Sequence, residues 1–136
     1  MSMFKVFDVA GSALSAQSVR MNTTASNLAN ANSVSSSDGE TYRARQPIFE
    51  SVLQSEKGSA SVGVAVKEIV ESDAPLQSRY EPGHPMANED GYIFMPNVNV
   101  VEEMTNMMSA SRSYQTNVEM INTAKQLALR TIQLGQ

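Results

Sequence analysis

The sequence predicts a mainly α-helical protein with a small β-rich insertion, in which long N- and C-terminal helices pair as a coiled coil. All five prolines and five of the seven glycines lie between Gly39 and Pro96, and such residues interrupt helices. Apolar residues recur in heptads on either side of that stretch. We therefore expect an N-terminal helix (residues 1–33), a β-rich middle segment (34–96) and a C-terminal helix (97–136).

The N-terminal segment carries one row of large apolar residues and few charges. The large residues at seven-residue spacing are Phe7, Leu14, Met21 and Leu28. The remaining positions are mostly Ser, Thr, Asn, Gln and Ala, and the first three of these types are weak helix formers. Amides such as those of Asn27 and Asn30 hydrogen-bond across interfaces without burying charge. This helix is therefore predicted to gain its order from neighbouring copies.

The middle segment has the alternating pattern of short strands. We predict one strand over residues 61–71, further strands at 42–46 and 48–53, and a short strand at 92–95 after a turn at 88–91. Pro47 favours a sheet edge. With ten acidic and five basic residues, this segment carries a net charge of −5. A β-rich unit of this size buries little surface by itself.

The C-terminal segment has the stronger heptad pattern. Its predicted seam consists of Val100, Met104, Met107, Ser111, Tyr114, Val118, Ile121, Lys125, Ala128 and Ile132. Asn99 and Glu102 form a capping-box pattern at the start of this helix, and Glu103 adds favourable negative charge there. Lys125 has two interpretations, as a buried charge partner in an assembly or as a side chain that reaches the solvent at the edge.

Composition excludes several classes of function. The chain has no cysteine and one histidine, which rules out Cys-based zinc sites and multi-histidine metal centres. A net charge of −4 without a basic cluster argues against nucleic-acid binding. We expect no transmembrane helix, no cleaved signal, no cofactor and no small-molecule substrate. His84 near Glu81 and the adjacent Glu102 and Glu103 are better explained as a turn and a helix start than as catalytic groups.

Several stretches resemble the rod proteins of the flagellar basal body. They are SALSAQ (12–17), SNLANA (26–31), YEPGHP (80–85), PNVNVVEEM (96–104), ASRSYQ (110–115) and NTAK (122–125). The loop at 80–85 and the helix start at 96–104 are most similar to proteins of the proximal rod. The resemblance implies a structural, non-enzymatic subunit of the periplasmic drive-shaft, exported by the flagellar type III apparatus without a cleaved signal.

The resemblance also implies the partners of the chain. They are other copies of itself, related rod proteins, inner-membrane ring and export-gate components, and the adjacent distal rod proteins. In this family the chain ends are disordered in the monomer and form a coiled-coil inner layer on assembly. The predicted assembly residues are Phe7, Leu14, Met21, Asn27, Leu28, Asn30, Val100, Met104, Met107, Tyr114, Val118, Ile121, Ala128 and Ile132.

Two other functions compete with a rod subunit. A soluble helical adaptor or export chaperone would also use amphipathic helices, but it would be stably helical as a monomer. A rod-associated peptidoglycan hydrolase would need two positioned carboxylates in a cleft, for which a middle segment of this size offers little room.

Overall fold

The computed structural model describes residues 3–56 and 59–135, and it describes side chains at 5–53 and 61–135. Two long helices, α1 (Met3–Asn30) and α2 (Val100–Leu134), precede and follow a small region of antiparallel strands along the chain. The elements between the helices are a 3-10 turn (Asp38–Glu40) and the strands β1 (Arg45–Glu56), β2 (Ser59–Glu71), β3 (Gln77–Tyr80) and β4 (Tyr92–Met95). The mainly helical class with a β-rich insertion is thus confirmed. No helix in the described part of the chain is both long and apolar enough to span a membrane.

The two helices lie antiparallel and contact each other along their lengths. Near one end, Asn27 Nδ2 donates to Glu103 Oε2 over 3.1 Å, and Arg20 Nη2 donates to Asn106 Oδ1 over 3.1 Å. At the other end, Val6 shares a cleft with Met120 and Leu127. The terminal segments therefore pack together, whereas coiled-coil geometry of this pair stays a prediction.

Alanines and polar side chains, rather than large apolar ones, are the most buried residues of the helix pair. The buried residues of α2 are Glu103, Ala110 and Ala124, which are multiples of seven residues apart. Ala10 and Ala16 are buried on α1. Glu103, Ala110 and Ala124 stand one residue before the predicted seam positions Met104, Ser111 and Lys125, so the buried row of α2 is displaced by one residue from that part of the prediction.

Strands β1 and β2 form a long antiparallel hairpin beside α1. Ser12 Oγ of α1 accepts a hydrogen bond from the backbone N of Val64 over 3.1 Å. The strand predicted over 61–71 is confirmed, while the candidates at 42–46 and 48–53 are replaced by the single strand β1. Lys67 is the extra residue of a bulge, since Ile48 pairs with Glu68 and Phe49 pairs with Val66.

Strands β3 and β4 form a second, short hairpin. The strand predicted at 92–95 is confirmed, and its partner β3 was not predicted because its four residues are all exposed and lack apolar alternation. The turn between them uses Gly91 at φ 81°. A side chain there would be strained, and its Cβ would lie 2.8 Å from the ring of Tyr80.

The chain's own core is small and contains polar groups. The largest fully buried side chains are Ile93, Asn27 and Pro96. A minor apolar cluster joins Ala31, Ala44 and Val98. Asn97 connects the loops of the middle segment, because its Oδ1 accepts from Ala44 N and its Nδ2 donates to Ala74 O, each over 2.8 Å. Little apolar surface is thus removed from water within one copy.

Candidate functional site

A row of exposed apolar side chains lies on α2, beside its contact with α1. We call it the outer stripe, and its residues are Val100, Met104, Met108, Val118, Leu129 and Ile132. Their exposed fractions run from 36% to 66%. These positions fall on one flank of the helix, because their spacings keep them within about one third of the helical circumference. Full burial of one such side chain contributes roughly 1.5–3 kcal/mol, so the outer stripe favours contact with another molecule.

The predicted assembly residues divide between the interior of the pair and the surface. Val100, Met104, Val118 and Ile132 are exposed and belong to the outer stripe. The partly buried residues of the prediction are Phe7, Leu14, Met21, Leu28, Asn30, Met107, Tyr114, Ile121 and Ala128. Asn27 is buried and bonds within its own chain. The role of all of these residues in assembly stays a prediction.

The β1–β2 hairpin carries a second exposed apolar surface. Its residues are Phe49, Leu53, Val62 and Val64, with exposed fractions from 38% to 64%. Phe49 pairs with Val66 and Leu53 pairs with Val62. Directly opposed residues of an antiparallel pair point to the same side, so these side chains share one face. We call this surface the hairpin face. A two-stranded hairpin is marginal in water unless its apolar face is covered.

A buried polar cluster joins α1, α2 and β1 where the last turn of α1 meets the first turn of α2. Asn27 in the last turn of α1 is 1% exposed, and Glu103 in the first turn of α2 is 5% exposed. Tyr42 Oη donates to Asn27 Oδ1 over 2.8 Å. The same oxygen accepts from the backbone N of Arg45, the first residue of β1, over 2.9 Å. We call Asn27, Tyr42, Arg45 and Glu103 the amide cluster.

The electrostatics of the amide cluster act on Tyr42. Burial raises the pKa of its hydroxyl above the ordinary value near 10. The Arg45 guanidinium, 5.5 Å from the centre of the Tyr42 ring, lowers that pKa in part, and the carboxylates of Glu103 and Glu71 raise it further. Tyr42 therefore stays neutral and keeps the proton that it donates to Asn27.

The start of α2 and the loop around His84 have structural explanations. Asn99 Oδ1 accepts from the backbone N of Val101 and Glu102, over 3.1 and 3.3 Å, which confirms the predicted N-cap. His84 Nδ1 accepts from the backbone N of Met86 over 3.0 Å. Among the described residues, no group of three or more potential metal ligands occurs.

Sequence reasoning missed the hairpin face and most of the amide cluster. The alternation of Val62, Val64 and Val66 predicts a strand with an apolar side, but it does not tell whether that side is covered. Glu103 was interpreted through its place at the helix N-terminus, and no sequence pattern indicates that its carboxylate meets Asn27, because 76 residues separate the two. Within the outer stripe, the heptad pattern predicts Val100, Met104, Val118 and Ile132 as seam residues, and their role in assembly stays a prediction.

Comparison with known proteins identifies relatives that match the chain over its whole length. Residues 7–35 match the family described as flagella basal body rod protein, and residues 89–134 match the C-terminal family of flagellar basal body rod FlgEFG proteins. The chain is 54% identical to the flagellar basal-body rod protein FlgC of Escherichia coli O6:H1 and 52% identical to that of Yersinia enterocolitica. The identity is 44% for the FlgC of Buchnera aphidicola subsp. Schizaphis graminum. All three alignments cover the whole of both chains.

Proposed function

The chain belongs to the FlgC family of flagellar basal-body rod proteins and is a structural subunit of the flagellar basal body, and from this premise we propose that it polymerises through the outer stripe and the hairpin face. The neighbours in this polymer are copies of the same chain and related rod proteins. Residues 1–33 and 97–136 then form its inner helical layer, and the β-rich middle segment projects from that layer.

The outer stripe is the observation that carries this proposal. Its six apolar side chains are exposed along α2 although another flank of the helix is occupied by α1. Polar residues such as Ser111, Gln115 and Lys125 separate these side chains along the flank, so each apolar position gains separately from burial. A neighbouring subunit that covers the outer stripe removes these side chains from water and adds a second contact to α2.

The two assembly surfaces are different in structure, which determines the kind of polymer. The outer stripe is one flank of a helix, whereas the hairpin face is one side of a sheet. Contacts between non-identical surfaces repeat head to tail, and they generate rings or open helical filaments. A helical tube of tightly packed long helices resists compression and twisting, as a drive-shaft requires.

We infer the export route and the location of the subunit from its family membership. The subunit leaves the cytoplasm through the flagellar type III apparatus and joins the proximal rod. There its neighbours are inner-membrane ring and export-gate components on one side and distal rod proteins on the other. Family membership over the whole chain favours this function over an adaptor, a chaperone or a peptidoglycan hydrolase.

Replacing Met104 with Asp tests the outer stripe. We expect the Met104→Asp chain to fold like the wild type, because Met104 is 54% exposed within one copy. Its incorporation into rods should fall at least about tenfold, because an unpaired charge is costly in a packed contact. The measurements are swarming and the amount of subunit in isolated basal bodies, in a strain that lacks its own copy of the protein.

Ser109→Asp provides the matched control. Ser109 is exposed on the far side of α2 from the outer stripe, and the substitution adds the same charge to the same helix. Circular dichroism of both purified variants should match that of the wild type. If Met104→Asp is incorporated as well as Ser109→Asp, the outer stripe is not an assembly surface.

A further inference from the structure

We propose that Asn27 is a positioning residue for assembly, which holds β1 and α2 in one orientation on α1 and thereby sets the angle between the hairpin face and the outer stripe. This inference rests on the proposed function, because it concerns how the two assembly surfaces are presented. Neither the family matches nor the apolar pattern of the helices assigns such a role to this amide.

The hydrogen bonds of Asn27 carry the proposal. Its Oδ1 accepts from Tyr42 Oη and from Arg45 N, over 2.8 and 2.9 Å. Its Nδ2 donates to Arg45 O and to Glu103 Oε2, over 2.8 and 3.1 Å. A carboxamide has two donor hydrogens and two acceptor sites, and all four are used here. Aspartate has the same shape but no donor, so it cannot make both bonds of Nδ2.

The place of these bonds in the chain gives them leverage over the hairpin. Both backbone groups of Arg45 bond to Asn27, and Arg45 is the first residue of β1. Leu53 follows eight residues later, about 26 Å further along an extended strand. Ser12 Oγ of α1 also accepts from the backbone N of Val64, which pairs with Ser51 near Leu53, so the hairpin is held on α1 at two places. A change at Asn27 shifts the Arg45 end while the Val64 end is held, and this turns the hairpin face relative to α1.

The buried carboxylate of Glu103 favours a hydrogen-bond donor, rather than a second carboxylate, at position 27. Among the described residues, the arginine ion pairs of the chain go to Asp38, Glu71 and Glu81. The Arg45 guanidinium lies over the Tyr42 ring and bonds to Glu71. The buried Glu103 side chain accepts instead from the Nδ2 of Asn27. An aspartate carboxylate at position 27 would face the Glu103 carboxylate at about 3 Å, and buried like charges at that distance repel strongly.

A donor–acceptor exchange between positions 27 and 103 tests the proposal in the full chain. Asn27→Asp should lower incorporation into basal bodies at least about tenfold, because it removes two donated bonds and adds the repulsion. Glu103→Gln alone should stay within about twofold of wild type, since the new amide oxygen still accepts from Asn27. The double variant should recover in part, at least about threefold above Asn27→Asp, because the new amide at position 103 can donate to the new carboxylate at position 27, whereas the bond to Arg45 O stays lost. The bond between the two new side chains reverses the original donor and acceptor.

Asn22→Asp is the matched control. Asn22 lies on the same helix, is exposed within one copy and is not one of the predicted assembly residues, and the variant should swarm and assemble like the wild type. Two results would overturn the proposal: Asn27→Asp behaving like Asn22→Asp, or a double variant as defective as Asn27→Asp alone. Rescue by Glu103→Gln supports it even where Asn27→Asp folds poorly. Failure of the proposed function would look different, since Met104→Asp would then be incorporated as well as Ser109→Asp.

Discussion

At the scale of single residues, small size and hydrogen-bonding capacity decide which side chains are buried in this chain. Asn27, Thr24 and Glu103 are buried, whereas Met104 and Leu129 are largely exposed. Small or polar side chains fit between closely spaced helices when their hydrogen bonds are satisfied. The larger apolar side chains are then left on the flanks, where a neighbouring molecule can cover them.

Tyr42 provides a test of the amide cluster through pH. Tyr42→Phe should lower the free energy of unfolding by about 1 kcal/mol near pH 8, because one hydrogen bond to Asn27 is lost. Burial raises the pKa of the hydroxyl, so the neutral form is favoured in the folded chain. That stabilisation is fully present below about pH 10 and is lost as the pH rises through the raised folded pKa.

Denaturant unfolding of the purified chain on either side of pH 10 measures this effect. The wild type should lose more stability than Tyr42→Phe as the pH rises, because the variant has no hydroxyl to ionise at position 42. Equal losses in both chains would show that the Tyr42 hydroxyl does not contribute through its hydrogen bond to Asn27.

At the scale of elements, α1 packs on two sides while each of its partners keeps an exposed side. Arg20 and Asn27 bond to α2, and Ser12 bonds to β2. The outer flank of α2 and the hairpin face both stay open. Helix α1 is therefore the central element of the subunit, and the assembly surfaces lie on the elements around it.

Leu53→Asp tests the hairpin face. Leu53 is 64% exposed within one copy, so the stability of the monomer should change by less than about 0.5 kcal/mol. Incorporation into basal bodies should fall about tenfold or more, since burial of a leucine contributes roughly 1.5–3 kcal/mol and each 1.4 kcal/mol is about tenfold in affinity.

Glu50→Ala is the control for the hairpin. Glu50 is exposed on the other side of the same strand, so this change should leave incorporation near the wild-type level. Swarming and quantitative immunoblots of isolated basal bodies compare the two variants. A Leu53→Asp chain that is incorporated as well as Glu50→Ala would remove the hairpin face from the assembly contacts.

At the scale of the whole molecule, one copy is an incomplete structure. It has a small core and a net charge of −4 in 136 residues, and its described residues include the outer stripe and the hairpin face. In the proposed assembly a second copy binds one of these surfaces and leaves the other open for a third, because the two surfaces differ in shape. Continued growth is the expected result, and the length of the polymer must then be limited by its neighbours in the basal body.

The apolar nature of both surfaces predicts how assembly responds to conditions. Self-association of the purified chain should strengthen on warming from about 5 to 25 °C, as hydrophobic contacts do. It should change by less than about tenfold between roughly 50 and 500 mM salt, because screening mainly weakens contacts between exposed charges. Sedimentation velocity at several concentrations measures both dependences. Dissociation by salt, or on warming, would indicate that charged contacts dominate instead.

Much of the architecture could be predicted from local patterns. Prolines and glycines confined to the middle indicate two uninterrupted terminal helices, and Asn99 marks the start of α2. The valine alternation indicates β2. The exposed strand β3 and the merging of two strand candidates into β1 could not be predicted, because pairing with a partner strand, rather than local composition, makes these residues extended.

The sequence by itself determined the class of the fold, the two helices and the expected dependence on other copies. The positions of proline and glycine and the heptads of apolar residues act through local periodicity, and the small number of charges acts through solvation. Only the tertiary structure decided which flank of α2 is covered and which partners Asn27 binds. Two neighbouring rows of α2 carry apolar residues, and which row is buried depends on how the two helices pack. That packing is a property of the pair, so no single segment encodes it.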